Sequence, residues 1–294
     1  MNETLFGDGA RIRVSPGRMH AGQEAAYWAL KDHRFKALRC GRRFGKTQFA
    51  KTWLGQGLLE GWECGWFAPN HMTWSEVYSD LMSDLQPVIR SSSKSQAVIR
   101  TITGGRLDFW TLENSIAGRG RRYRRIVIDE AAFTKNGDNR TEGSMMEIWE
   151  KSIKPTLLDY EGEALVCSNS AGKNPENFFY NICSDPQYGF REFHAPTMDN
   201  PVLPKRLETE SSEDWARRRE RLFAELKRDN DPLVYEQEYR AEFVDWSGAA
   251  FFNRDKLLAD GKPLPYPTAC DAVWPSAVRS SPAPCQAASR RWSR

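Results

Sequence analysis

The chain has 294 residues, and its 42 lysines and arginines against 39 aspartates and glutamates give a formal net charge of +3. With 40% apolar and 28% charged residues it can bury a sizeable core, which excludes a generally disordered chain. No apolar run approaches the ~18 residues that cross a membrane, so no membrane partner is expected.

Cysteine usage and charge placement narrow the class of protein further. The six cysteines form no CxxC pair, and the first residues lack a basic stretch followed by an apolar core. A reduced cytoplasmic compartment is therefore expected. The whole net charge lies in residues 263–294, which hold four arginines and one aspartate. Because the preceding residues are neutral overall, any contact with nucleic acid must come from a local basic cluster.

Strands and helices are predicted to alternate along the first part of the chain. A helix is expected around Gln23–His33, followed by a short strand at Phe35–Arg39. A glycine-rich turn then leads to a helix over Lys46–Glu60. The next strand is expected at Cys64–Ala68, and a further helix near Trp74–Leu85.

The middle of the chain indicates the fold class. Polarity alternates over Val98–Leu112 around Gly104-Gly105, which predicts a β-hairpin. Arg125–Asp129 and Ala164–Cys167 are short, apolar strands set between helices. Such strands favour an α/β fold with a mainly parallel central sheet that helices cover on both faces.

The character of the sequence changes after Asn200-Pro201. Ser211–Arg228 is predicted to be a highly charged helix, and Pro232 is expected to start a second one that runs to Arg240. These helices predict a small helical segment at about 200–240 within a domain of residues 1–250. Residues 251–294 are rich in proline, alanine and serine near their end, and are expected to be a linker and a truncated, disordered tail.

The strongest chemical signal is the segment Gly41–Thr47, GRRFGKT, which lies between a strand and a helix. Gly45 would let the backbone approach a phosphate, Lys46 would reach the β- and γ-phosphates, and the Thr47 hydroxyl would bind Mg²⁺. The usual pattern is GxxxxGK[ST], whereas here Cys40 takes the first position and glycine follows one residue later. The alternative is a basic turn at a helix start with no ligand.

A second element of the same kind of site follows in the expected order. Ile126–Glu130 is an apolar strand that ends in two carboxylates, as a Walker B element requires. Asp129 would hold the Mg²⁺ through water, and Glu130 would orient and deprotonate the attacking water. A solvated strand end is the alternative for this pair alone. Together with the GKT loop, the pair predicts hydrolysis of a nucleoside triphosphate.

The combination of GRRFGKT, RIVIDEAA and the upstream Gln23 resembles the ATPase domain of the large terminase subunit of tailed phages, over about residues 15–250. This resemblance implies an ASCE-type P-loop NTPase fold with ATP and Mg²⁺ as cofactors. It implies a motor that drives double-stranded DNA into a procapsid. The partners implied are the terminase small subunit, the portal protein and further copies in a homo-oligomeric ring, all in the cytoplasm of the bacterial host.

The resemblance also implies roles for single residues. Arg42 matches a loop arginine that acts in coupling and catalysis, and Gly41 and Arg43 lie beside it in the nucleotide-binding loop. Gln23 matches a glutamine that reads the adenine edge, although an ordinary exposed residue near a helix start is the alternative. Ser168 or Asn169 would sense the γ-phosphate.

Two later segments resemble signatures of the same family. Asp199–Pro201 and Tyr235–Tyr239 are expected to serve as scaffold rather than in catalysis.

Arg119–Arg125 contains five arginines in seven residues. The resemblance implies that Arg119 reaches into the ATP site of a neighbouring subunit and neutralises charge on the transferring phosphoryl group. The other arginines could contact DNA phosphates. A solvated basic loop is the third possibility.

Terminase large subunits continue into a nuclease domain, which should begin here near residue 265. After Trp246 the chain offers only Asp255, Asp260 and Asp271 as acids, so no nuclease activity is expected and a truncated or frameshifted gene is the hypothesis. Two alternatives to the packaging motor stay open. One is another helicase-like P-loop ATPase, and the other is an inactive prophage remnant that only binds nucleotide.

Overall fold

A computed structural model describes residues 2–5, 11–14, 17–134, 144–246, 258–259 and 262–263. The chain forms two compact units, Met1–Trp246 and Ser247–Arg294. In the second unit, Leu258–Ala259 pairs with Lys262–Pro263 as two short antiparallel strands. The rest of the tail expected at 251–294, including its three aspartates, lies outside the described residues.

The first unit alternates strands and helices. Its strands are β1 (Asn2–Leu5), β2 (Arg11–Val14), β3 (Phe35–Cys40), β4 (Glu63–Ala68), β5 (Ile89–Ser93), β6 (Val98–Thr101), β7 (Arg106–Thr111), β8 (Arg125–Asp129), β9 (Glu163–Ser168) and β10 (Phe190–Ala195). Among the described residues its helices are α1 (Ala21–Leu30), α2 (Lys46–Leu59), α3 (His71–Asp84), α4 (Met145–Ile148), α5 (Phe178–Ser184), α6 (Ser212–Asp229) and α7 (Pro232–Glu238).

The elements predicted between Gln23 and Arg240 are confirmed, with their ends displaced by a few residues. The helix expected near Trp74 begins earlier, at His71, because the Asn70 side chain caps it. The Asn70 Oδ1 accepts the Thr73 N–H at 3.1 Å, which satisfies one of the free donors of the first turn.

In the part of the chain that the structure describes, eight strands form the central sheet, in the order β10-β3-β9-β8-β4-β7-β6-β5. The pairs from β10 to β7 are parallel, and the β5–β6–β7 edge is antiparallel. The predicted α/β fold with a mainly parallel sheet is confirmed. Because parallel strands end at the same edge, the carboxyl ends of β3, β8 and β9 meet there.

Helices cover both faces of the sheet. In β8, Val127 faces the cluster formed with α1, α2 and α3, whereas Ile126 and Ile128 face the cluster formed with α4 and α5. All three side chains are fully buried, so the strand reads as a continuous apolar run. Among the described residues, none of the helices has the length and apolar character that crossing a bilayer requires.

The helical segment after β10 consists of α6 and α7. No residue of α6 is fully buried, and polar contacts hold the helix in place. Trp215 donates its indole N–H to the Pro204 carbonyl at 2.7 Å. Arg219 donates to the carbonyls of Asn200, Leu203 and Met198. This helix therefore supports residues 198–204, which form one wall of the cleft described below.

A buried carboxylate lies at the opposite edge of the sheet, where the parallel strands begin. Asp108 is 4% exposed, and its Oδ1 accepts two hydrogen bonds from Arg106 at 2.9 and 2.8 Å. Its Oδ2 accepts the Tyr123 hydroxyl at 3.0 Å and lies 3.5 Å from Arg121. Trp110 in turn donates to the Tyr123 oxygen at 2.9 Å. The network fixes the start of the arginine-rich segment against β7.

We expect Asp108→Ala to lower the free energy of unfolding by about 3 kcal/mol, because it leaves two guanidinium groups and a buried hydroxyl without their acceptor. Urea unfolding followed by circular dichroism measures this change. The matched control is Asp159→Ala, since Asp159 is half exposed and lies 3.5 Å from Arg122. The control should lose less than about 1 kcal/mol. Equal losses in the two variants would show that Asp108 has no special structural role.

Candidate nucleotide site

The GRRFGKT loop joins β3 to α2 at the carboxyl edge of the sheet. Two of its residues have left-handed backbone, Arg43 with φ 64° and Gly45 with φ 102°. A side chain at Gly45 would be strained by this φ, and its Cβ would lie 2.7 Å from the Gln23 amide nitrogen. The backbone then enters α2 at Lys46, and the first N–H groups of the helix have no intrahelical acceptors. This is the geometry of an anion site.

Lys46 lies inside the loop rather than on the surface. It is 7% exposed, and its Nζ donates to the Cys40 carbonyl at 3.0 Å, across the turn of the loop. A buried ammonium group needs an acceptor or an anion beside it. The loop thus holds one fixed positive charge at the start of α2.

Thr47 and Asp129 meet beside this lysine. The Thr47 hydroxyl donates to Asp129 Oδ2 at 3.4 Å, and Asp129 is 1% exposed. Burial, together with the neighbouring charge of Glu130 and against the opposing effect of Lys46, raises the pKa of Asp129 to about 7. A carboxylate and a hydroxyl are ligands that suit Mg²⁺. Among the described residues, no cluster of three or more His, Cys, Asp and Glu side chains could hold a metal.

Glu130 follows Asp129 in left-handed backbone, with φ 50°. Such a conformation is unfavourable for a non-glycine residue and is often found at functional sites. The turn behind it is fixed from β9, since the Ser168 hydroxyl accepts the Ala132 N–H at 3.2 Å. Asn177 donates to the Ala132 carbonyl at 2.9 Å. Glu130 is half-buried and faces the same cleft as Lys46 and Thr47.

The two candidates for sensing a γ-phosphate lie in different surroundings. Ser168 is fully buried, and its hydroxyl accepts the Ala132 N–H. Asn169 lines the cleft, and its Nδ2 donates to Glu238 Oε2 at 2.7 Å. The same Glu238 oxygen accepts the Arg42 Nε at 2.5 Å. One carboxylate thus joins the turn after β9 to the loop arginine.

Residues outside the motifs hold the rest of the loop. The Thr197 hydroxyl donates to the Arg42 carbonyl and the Asn200 amide to the Arg43 carbonyl, each at 2.7 Å. The Gly41 N–H donates to the Ala195 carbonyl at 3.0 Å. A Cβ at Gly41 would lie 2.3 Å from the Tyr239 carbonyl oxygen, so glycine is required there by close packing.

Gln23 is buried rather than exposed, with 2% of its surface accessible. Its amide lies between the His20 N–H and the Gly45 carbonyl. The alternative of an ordinary exposed residue is therefore wrong.

Arg119 lies apart from these residues. Its Nε donates to the Ser152 hydroxyl at 3.0 Å, and it lines a separate depression with Glu147 and Lys151. The structure does not bring Arg119 to the loop of its own chain.

The other arginines of Arg119–Arg125 also have partners within the chain. Arg124 lies over the Tyr160 ring at 4.7 Å, and Arg125 over the Trp53 ring at 4.6 Å. Arg121 and Arg122 lie beside aspartates, each 3.5 Å away. Packing contacts thus account for much of this charge.

The loop, the strand ends and the segment after β10 enclose a cleft of about 1050 Å³, which is large enough for a nucleotide. Its lining includes Arg42, Arg43, Gly45, Lys46, Thr47, Glu130, Asn169, Asn200, Val202, Leu203 and Tyr239. Asp129 lines an adjoining depression that also contacts Thr47 and Glu130. Of the predicted site residues, Gln23, Gly41 and Ser168 do not line the cleft.

The known proteins that this chain resembles in sequence and in fold include terminase large subunits. No family model matches the chain. The large terminase subunits of Thermus phage G20c and Thermus virus P23-45 are each 28% identical to it over 165 residues. These matches cover 50% of this chain and 27% of each relative, so the chain corresponds to about a quarter of their length.

Solved structures of large terminases share the fold. The ATPase domain from Thermus phage P74-26 has a TM-score of 0.57 at 19% identity, covering 77% of this chain and 94% of that domain. The large terminase of another thermophilic bacteriophage, in complex with ATP-γ-S, has a TM-score of 0.56 at 12% identity, covering 77% and 53%. The resemblance seen in the motifs is confirmed: the chain is similar to terminase large subunits in sequence and has the P-loop fold of their ATPase domains.

Proposed function

We propose that the chain is a Mg²⁺-dependent ATPase that drives double-stranded DNA into a phage procapsid, as the ATPase module of a terminase large subunit. The observation that carries this proposal is the convergence of Lys46, the Thr47–Asp129 pair and Glu130 on one cleft. A buried cation, a metal-binding pair and a free carboxylate are the three components that triphosphate hydrolysis needs.

ATP is the proposed nucleotide. The N–H groups at the start of α2 and the Lys46 ammonium would bind the β- and γ-phosphates. Arg42 and Arg43 add positive charge at the mouth of the cleft. The large terminase of the thermophilic bacteriophage compared above, whose structures include complexes with ADP and ATP-γ-S, supports nucleotide as the ligand class.

Thr47 and Asp129 would hold the Mg²⁺. When bound, the ion would neutralise charge on the phosphates, which lowers the cost of bringing a nucleophile to them. The binding requires the ionised form of Asp129, whose pKa burial raises to about 7. Lys46 lowers that pKa and so favours the ionised form.

Glu130 is the proposed general base. Its carboxylate would accept a proton from the attacking water while Asn169 contacts the γ-phosphate. Arg42 would leave Glu238 to meet developing charge on the phosphoryl group. Arg119 would act on the cleft of a neighbouring subunit, which agrees with its distance from the loop of its own chain and requires a homo-oligomeric ring.

A DNA-packaging motor needs DNA and further proteins as partners. Double-stranded DNA, the terminase small subunit and the portal protein of the procapsid are the partners, in the bacterial cytoplasm. Residues 1–250 are the proposed ATPase module, whose activity would be nucleotide hydrolysis.

We expect Lys46→Ala to lower kcat/KM for DNA-stimulated ATP hydrolysis by at least about 100-fold, because a fixed donor to the phosphates is lost. Glu130→Gln should lower kcat by about 100-fold or more while nucleotide binding persists, because only the base is removed. Phosphate release with and without double-stranded DNA measures turnover, and calorimetry measures binding.

Lys31→Ala and Glu60→Gln are the matched controls, since both residues are exposed at helix ends remote from the loop. Both should retain the activity of the unmodified chain. Equal residual activity in all four variants would refute the assignment. Binding without turnover in the unmodified chain would instead indicate the inactive remnant.

The raised pKa of Asp129 predicts a pH-dependent stability of the metal-free protein. Between the unfolded pKa of about 4 and the folded pKa of about 7, the folded chain binds the extra proton. The Asp129 contribution to stability therefore falls as pH rises through this range. We expect Asp129→Asn to be more stable than the unmodified chain at pH 8, by up to about 4 kcal/mol, with little difference near pH 4. Denaturant unfolding in EDTA measures this, and a pH-independent difference would contradict it.

A further inference from the structure

Helix α1 begins with an unusual cap. Serine, threonine, aspartate and asparagine are the usual residues at this position, whereas here it is His20. The His20 Nδ1 accepts the Gln23 N–H at 3.3 Å, and the Gln23 Oε1 accepts the His20 N–H at 3.0 Å. This reciprocal pair uses one end of each side chain.

The other end of each side chain reaches the phosphate-binding loop. The His20 Nε2 lies 2.8 Å from the Phe44 carbonyl oxygen, and the Gln23 Nε2 donates to the Gly45 carbonyl at 2.9 Å. Because Nδ1 accepts a hydrogen bond, the neutral ring carries its proton on Nε2 and donates it to Phe44. Two consecutive carbonyls before Lys46 are thus held by the start of one helix.

Close packing supports the same contacts. The His20 ring meets the Phe44 ring edge-on, with centroids 5.4 Å apart. A Cβ at Gly22 would lie 3.2 Å from both the His20 and Phe44 rings, and a Cβ at Gly45 would lie 2.7 Å from the Gln23 amide nitrogen. Both glycines therefore allow the helix start to approach the loop.

The direction of the two carbonyls decides where the next N–H groups point. In a planar trans peptide, the N–H of one residue points opposite to the carbonyl of the residue before it. The Phe44 carbonyl meets His20 at the start of α1, so the Gly45 N–H points away from α1, toward the phosphate side of the loop. The Gly45 carbonyl accepts the Phe49 N–H of α2 at 2.9 Å as well as the Gln23 amide, so α2 and Gln23 together direct the Lys46 N–H to that side.

We propose that His20 and Gln23 form a carbonyl clamp, a pair of positioning residues that sets the loop for the triphosphate and does not read the nucleobase. The proposal rests on the proposed nucleotide hydrolysis but differs from the expected contact of Gln23 with adenine. Gln23 is 2% exposed, and both ends of its amide have partners. Reading a base would require it to break the hydrogen bond to Gly45.

The first test uses the nucleotide-free protein and hydrogen exchange. Gln23→Ala and the isosteric Gln23→Glu, which cannot donate to Gly45, should each speed amide exchange about 10-fold at Phe44 and Phe49, whose N–H groups donate to the Gly41 and Gly45 carbonyls. His20→Asn keeps a capping side chain for α1 but loses the donor to Phe44, so it should speed exchange in the loop and not in α1. Glu24→Ala, exposed on the same turn of α1, is the control and should leave the loop unchanged.

The second test compares ligands with and without adenine. Dissociation constants for ATP, GTP and inorganic tripolyphosphate should all rise in Gln23→Ala by the same factor, about 5-fold, the equivalent of one net hydrogen bond. An adenine contact would weaken ATP alone.

Unchanged exchange in the loop of Gln23→Ala and Gln23→Glu, or a loss confined to ATP, would overturn the clamp. The exchange experiment needs no catalysis, so its failure is distinguishable from failure of the ATPase assignment. Faster amide exchange in the variants of a chain that does not hydrolyse ATP would support the carbonyl clamp and contradict the proposed ATPase function.

Discussion

The site depends on the fixed backbone of the phosphate-binding loop. Four consecutive carbonyls, those of residues 42–45, accept hydrogen bonds from Thr197, Asn200, His20 and Gln23 respectively. These donors come from the chain around the start of α1 and after β10, so two distant segments set one turn. A turn held only by its own residues would lose its shape to conformational entropy. Here the carbonyls are bound on the protein side, which leaves the N–H groups at the start of α2 for an anion.

The features that could be predicted from the sequence are those that depend on residues close together along the chain. The apolar strands and the capped helices follow from residue spacing, and the loop and the Asp129–Glu130 pair follow from motif order. The supporting residues could not be found in this way. Thr197 and Glu238 lie 155 and 196 residues from Arg42 along the chain, and no local spacing connects them. Asp199–Pro201 and Tyr235–Tyr239 were recognisable as signatures, but only the fold shows that both adjoin the loop.

The arginine-rich segment shows that a charge count alone does not say what the charges contact. Five arginines in seven residues suggest an open phosphate-binding surface. In the fold, Arg121 lies beside the buried Asp108, and Arg125 lies over Trp53 and Trp62. A guanidinium group paired with a carboxylate must exchange that partner for a phosphate, whereas one stacked on a ring keeps its in-plane N–H donors. The density of a charge run therefore says less about ligands than the aspartates and rings that fold against it.

Helix α6 gives the cleft a wall that can shift at low cost. Arg219 binds three carbonyls in residues 198–203, so this segment and the helix are joined as one piece. Because the apolar side chains of α6 are only partly buried, moving this helix would uncover less apolar surface than moving α2. The floor of the cleft, by contrast, rests on the sheet and the buried α2. The side of the cleft formed by the sheet and α2 is therefore the more rigid one. A change in the volume of the cleft would cost least on the side supported by α6.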